Sequence, residues 1–95
     1  ITIGDNVLLG YNVNIIDSDF HGIQPDQRLS PDYKFASVNI ERNVFIGSNV
    51  TILKGVTIGE NSVVASGSIV TSSFPSNVII GGNPARLIKN IDEYK

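Results

Sequence analysis

His21 is the only histidine in this 95-residue chain, and it stands among a dense group of polar and charged side chains. Asp17 and Asp19 come shortly before it, and Arg28 follows seven residues later. Histidine is the residue type best able to take and return a proton near neutral pH, the task of a general base. A carboxylate at hydrogen-bond distance could orient such a ring or raise its basicity, although a backbone carbonyl could serve as well. Arg28 could bind substrate oxygens or pin the segment by pairing with a carboxylate. As plain structure, His21 would be a surface histidine and the two aspartates turn residues. A second group, Arg86, Lys89 and Lys95, lies near the end of the chain. Arginine grips phosphate oxygens in pairs and lysine acts as a point charge, so these residues suit a few phosphates. On a helix, a three-residue spacing would put Arg86 and Lys89 on one side, where basic residues also complement the helix dipole. One histidine and no cysteine give no support to a metal site and exclude a thiol nucleophile.

What positions these residues is a period of six. Taking Ile3, Leu9, Ile15, Ile40, Ile46, Ile52, Ile58, Val64 and Val70 as hexad starts, the fourth positions are Asn6, Asn12, Ser18, Asn43, Asn49, Gly55, Asn61, Gly67 and Ser73. Seven of the nine are Asn or Gly, the types that tolerate a left-handed backbone conformation. The next residue is usually apolar and branched, as at Val7, Val13, Val44, Val50 and Val56. Each hexad therefore supplies a short flat strand with two inward side chains, followed by a corner. Helices repeat near 3.6 and half-buried strands at 2, so a period of six predicts a parallel β-helix, whose coils stack to bury one column. Three hexads per coil would make a triangular prism.

Residues 1–15 supply one coil and residues 40–75 two more. Residues 16–39 break the repeat as a long protruding loop, and this excursion holds His21, Asp17, Asp19 and Arg28. Long irregular loops in compact domains are uncommon and often functional. The repeat ends at Phe74-Pro75, and Asn83-Pro84 reads as an N-cap with proline at the first helical position. A short C-terminal helix over about residues 85–91 is predicted, making 83–95 a helical cap. The chain opens in mid-pattern, at Ile1-Thr2-Ile3-Gly4. Open solenoid ends expose strand edges, so residues 1–95 are expected to be one β-helix domain within a longer protein that has upstream coils.

Composition narrows the classes further. Net charge is −2 with the charges scattered, which disfavours a nucleic-acid surface. No run approaches the ~20 apolar residues of a helical membrane span, and no signal peptide is recognisable. The absence of cysteine makes a reducing cytoplasm the default expectation.

The strings Ile46-Gly47-Ser48-Asn49-Val50-Thr51-Ile52, Gly55-Val56-Thr57-Ile58-Gly59-Glu60-Asn61, Ser66-Gly67-Ser68-Ile69-Val70-Thr71 and Gly82-Asn83-Pro84-Ala85-Arg86 resemble the hexapeptide-repeat acyltransferases. His21-Gly22-Ile23, with Arg28 beyond it, resembles the active-histidine segment of the maltose and galactoside O-acetyltransferases. The resemblance covers essentially the whole chain. The hexads bear on the fold, whereas the histidine loop with the Asn-Pro-Ala-Arg ending bears on the chemistry. Phe45 stands where the family often has tryptophan, and Ser66 where it often has alanine.

The resemblance implies an all-β, left-handed parallel β-helix and a homotrimer with active sites between subunits. It also implies acetyl-CoA as donor and a hydroxyl acceptor on a sugar, such as a surface-polysaccharide precursor. His21 would be the base that takes the hydroxyl proton. The Ser48 N–H would stabilise the oxyanion, Ser66 and Thr71 would track the pantetheine arm, and Arg86 and Lys89 would bind the coenzyme phosphates. Asp17, Asp19 and Arg28 would orient the histidine or contact the acceptor. Two alternatives stay open: acetylation of a xenobiotic or serine-type hydroxyl, and a non-catalytic trimeric β-helix assembly domain.

Overall fold

The computed structural model describes residues 1–94, so Lys95 lies outside the described residues. The chain winds as a left-handed parallel β-helix with three flat faces. The first face stacks β1 (Thr2–Ile3), β4 (Asn39–Ile40) and β7 (Thr57–Ile58). The second stacks β2 (Leu8–Leu9), β5 (Phe45–Ile46), β8 (Val63–Val64), β10 (Val78–Gly82) and β11 (Ala85–Asn90). The third stacks β3 (Asn14–Ile15), β6 (Thr51–Ile52) and β9 (Ile69–Val70).

All seven Asn and Gly residues at the fourth hexad position have positive φ, from 56° at Asn12 to 79° at Gly55 and Gly67. Each turns the chain through a corner that a residue with a larger side chain would strain. Between corners, one side chain of each strand and the residue before the strand point inward. Ile40, Ile46, Ile52, Ile58, Val64 and Val70 fill one set of inward positions, and Val38, Val44, Val50 and Val56 the other, all fully buried. In the third coil the second set changes to Ser62 and Ser68, both buried and both bonded. Ser62 Oγ donates to Pro75 O at 3.1 Å and accepts from Val78 N at 3.2 Å. Ser68 Oγ donates to Ala65 O at 2.6 Å and accepts from Gly82 N at 3.1 Å. These hydroxyls satisfy backbone groups that the tapering end of the column would otherwise bury unpaired. At the opposite end the inward Ile3 and Leu9 are 44% and 48% exposed.

The structure departs from the sequence reading in three places. Coil partners are 18 residues apart in the regular part, as in Asn39↔Thr57, but 37 apart across the excursion, as in Thr2↔Asn39. The excursion thus inserts 19 residues, and its limits are tighter than 16–39. Ile16 N already donates to Ile52 O, and Val38 is already core. Second, the repeat does not end at Phe74-Pro75. Phe74 bridges Ile58, Asn77 has φ 63°, and β10 pairs in parallel with β8. A partial fourth coil is present, shortened to a spacing of 16.

Third, the predicted C-terminal helix is absent. Residues 85–90 form a strand antiparallel to β10, and only Ile91–Glu93 make a turn of 3₁₀ helix. Asn-Pro marks hairpin turns as well as helix starts, and here a cis Asn83-Pro84 sits between the paired residues Gly82 and Ala85. A seven-residue helix would be marginal alone, whereas a strand covers the open edge of β10.

Candidate active site

The excursion leaves and rejoins the third corner through a short antiparallel ladder. Ser18 bridges Phe35, Asp19 N donates to Lys34 O at 2.9 Å, and Ala36 N donates to Asp17 O at 2.9 Å. Beyond the ladder the chain turns sharply at Phe20, which has φ 64° and donates its N–H to Ser18 Oγ at 2.9 Å. That turn projects His21 from the column. Gly22 then packs against the backbone of Gln27, 2.7 Å from the carbonyl carbon for a built Cβ, so no larger residue fits this approach. Arg28 closes the turn by donating Nε–H to Ile23 O at 3.3 Å, the loop-pinning role among those expected of it, reached through a carbonyl.

His21 Nδ1 lies 2.7 Å from Gly22 O. A carbonyl oxygen only accepts, so Nδ1 carries a proton in this contact, and in the neutral ring the lone pair then lies on Nε2. That form leaves Nε2 able to accept a proton. The group bonded to the ring is therefore the Gly22 carbonyl, and neither aspartate side chain bonds the ring directly. Asp19 pairs with Lys54 Nζ at 2.8 Å, and Asp17 contributes its backbone oxygen to the ladder. Beside the ring lies a pocket of about 420 Å³. It is lined by Asp19, His21, Gly22, Ile23, Gln24, Gln27, Asp32, Tyr33, Lys34 and Lys54. Its lining mixes apolar surface with two carboxamides, the Tyr33 hydroxyl and four charged side chains, a combination suited to a molecule with both polar and apolar faces.

Of the other predicted residues, Thr71 shares the loop's corner and the rest lie on other parts of the prism. Ser48 follows β5 at the second corner, in a column of hydrogen bonds with its neighbours. Ser48 Oγ accepts from Tyr11 N at 3.2 Å, and Ser48 N donates to Ser66 Oγ at 3.1 Å. Within the single chain, the Ser48 amide expected as an oxyanion donor bonds the exposed Ser66 hydroxyl. Thr71 follows β9 and is exposed at the start of the third corner, on the loop side of the prism. One six-residue face, about 16–20 Å of extended chain, separates Ser48 from Lys54. Within one chain, therefore, Ser48 and Ser66 do not share a cleft with His21.

Arg86 and Lys89 sit on β11 rather than on a helix, yet they still share a side. A bulge between Ile79 and Ile80 places Lys89 opposite Ile79 and Arg86 opposite Gly81. Ile79 and Gly81 are two apart on one strand and so face the same way, and their partners face with them. Lys54 and Tyr33 line the pocket without having been singled out from sequence. Lys54 had a faint signal, as a charged residue at the corner coiled above the loop's exit. Among the described residues, no three His, Asp or Glu side chains converge as a metal site.

Comparison with known proteins adds the context. Residues 37–72 match the model for the bacterial transferase hexapeptide (six repeats), and residues 1–24 match the hexapeptide repeat of succinyl-transferase. The galactoside O-acetyltransferase of Escherichia coli is 43% identical over 93 residues, covering 98% of this chain and 45% of that protein. A maltose O-acetyltransferase of Clostridium difficile superposes with a TM-score of 0.88 at 43% identity, over 97% of this chain and 49% of its own. A hexapeptide-repeat acetyltransferase of Vibrio cholerae, solved with acetyl coenzyme A, also gives 0.88, at 37% identity, over 94% and 48%. The chain spans about half the length of the curated relatives it matches. Both family models fall on the coils that carry the corners and the histidine loop, and the chain belongs to the hexapeptide-repeat acetyltransferase family.

Proposed function

We propose that this chain is the β-helix of an acetyl-CoA-dependent O-acetyltransferase that acts on a saccharide hydroxyl, with surface-polysaccharide precursors as candidate acceptors. The observation that carries this reading is the His21 ring, held through Nδ1–H by Gly22 O beside a pocket of about 420 Å³ lined by carboxamide, charged and apolar groups. The relatives' named sugar acceptors and the acetyl-CoA complex support it.

In this mechanism Nε2 of His21 takes the acceptor's hydroxyl proton as the oxygen attacks the thioester carbonyl carbon. Collapse of the tetrahedral adduct breaks the C–S bond, and the same imidazolium returns the proton to the leaving thiolate. Direct transfer requires no acyl-enzyme, and the chain has no cysteine to form a thioester. Arg86 and Lys89, presented on one side of β11, would meet the coenzyme phosphates, with Ser66 and Thr71 along the pantetheine arm. Since the His21 loop and the Ser66 corner lie on different edges of the prism, we place each site between two copies of a homotrimer. The loop of one copy would face the serine corner of the next. A cytoplasmic setting belongs to the same proposal.

Two measurements test it. Acetyl-CoA at a hundred times its dissociation constant should add ~2.7 kcal/mol to native stability, which a non-catalytic assembly domain would not show. His21→Ala should lower turnover ~10²–10⁴-fold with acetyl-CoA affinity and melting temperature unchanged. Full turnover by that variant on the true acceptor would overturn the mechanism.

A further inference from the structure

The loop that carries His21 touches the column through one ion pair, Lys54 Nζ to Asp19 Oδ1 at 2.8 Å. Among the described residues the only other ion pair, Arg42 with Glu60, is at a different corner. Lys54 and Asp19 are 32% and 20% exposed at their side chains, so the pair is partly shielded from water. Both residues line the same pocket as His21. Asp19 is also the last residue of the antiparallel ladder before the turn at Phe20. Its N–H is held by Lys34 O, and the next residue adopts φ 64°. An aromatic side chain in that conformation is strained, so the turn persists only where its surroundings hold it. Ser18 Oγ holds it from within the loop, and Lys54 holds it from the column.

We propose that Lys54, through Asp19, is a positioning residue for His21. The pair anchors the Asp19-Phe20-His21 turn to the third corner, so that the imidazole stays against Gly22 O with Nε2 free. Lys54 does this from a rigid part of the structure. It lies two residues beyond β6, and the Gly55 amide donates to Ala36 O at 3.3 Å where the loop rejoins the column. The inference rests on the base role proposed for His21, but the anchoring is separable from catalysis.

The test uses the intact protein labelled with ¹⁵N-histidine, with the His21 signal assigned by its loss in His21→Ala. Nitrogen shifts report the tautomer directly. The wild type should show the Nδ1–H form alone. Lys54→Met and Asp19→Asn should each populate both tautomers and lower kcat ~10- to 100-fold, the scale of a ~1 Å misplacement, with the acetyl-CoA KM unchanged. The double variant should lose no more than either single one. Exchanging the charges, Asp19→Lys with Lys54→Asp, should restore the single tautomer. A single tautomer in both single variants, or multiplicative losses in the double, would overturn the proposal. Unfolding of Lys54→Met would equally overturn it, because the pair would then brace the column. If the wild type transfers no acetyl group, the functional reading fails, and the tautomer comparison still decides the anchoring.

Discussion

Between residues 38 and 70 every side chain of the core is repeated by another six or eighteen residues away, and each corner by its copy one coil above. Between residues 17 and 37 nothing repeats. The core lies entirely outside that segment, and Leu29 within it is fully exposed. Away from its base, where Asp19 meets Lys54 and Ala36 meets Gly55, the loop's contacts are local, such as Gln27 N to Gln24 O at 2.9 Å and Ser30 N to Gln27 O at 3.0 Å. In the column, by contrast, side chains bond between coils, as Asn43 Nδ2 does to Asn61 Oδ1 at 3.2 Å and Asn61 Nδ2 to Asn77 Oδ1 at 2.8 Å. Stability thus resides where the sequence is periodic, and the geometry of the candidate base resides where it is not. Substitutions in the two regions should separate cleanly into folding effects and turnover effects.

The largest effect on folding should come from the column's centre. Ile46 is fully buried between Leu9 and Val64 on the second face. Truncating it leaves a void that stacked, close-packed coils cannot collapse, so Ile46→Ala should cost ~2–5 kcal/mol in denaturant unfolding. A loss under ~1 kcal/mol would mean that the column does not hold the stability assigned to it.

A corner should matter less than the core. Asn49 has φ 59° and accepts a hydrogen bond from Asn12 Nδ2 at 3.2 Å. Asn49→Val forces a β-branched residue into that conformation, at ~1–2 kcal/mol, and removes the bond between coils. An unchanged melting temperature would show that the corners tolerate other conformations, and the contrast between column and loop would weaken.

Legibility follows the same division. Asparagine and glycine at Asn6, Asn12, Asn43, Asn49, Gly55, Asn61 and Gly67 reveal the corners because few residue types accept positive φ. Asn77 escaped notice because the fourth coil is two residues short and so falls out of register. The hairpin was misread because Asn83-Pro84 starts helices and turns alike, and only the open edge of β10 decides between them. In the loop, His21 was visible as the lone histidine in the one break of the period. Its partner was not, because a backbone carbonyl carries no residue signature. Phe20 at positive φ breaks the usual preference, and Lys54 reaches Asp19 only once the coils are stacked.

The smallest expected effect on folding, and the sharpest division between the regions, belongs to Gly22. A methyl group there would overlap Gln27 O and lie 2.7 Å from its carbonyl carbon, both backbone atoms that cannot rotate away. Gly22→Ala must therefore open the turn from Gly22 to Gln27 and shift the carbonyl that holds His21 Nδ1. No core residue lies in this turn, so the cost of opening it should stay local and small beside the ~2–5 kcal/mol of a core truncation. Turnover should nevertheless fall ~10- to 100-fold, because the base would no longer be held at its proton-accepting angle. Steady-state kinetics beside a melting curve checks both halves at once. Wild-type turnover would show that Gly22 O does not orient the ring. A large drop in melting temperature would show that the loop carries folding energy after all, and the comparison between the two regions would fail with it.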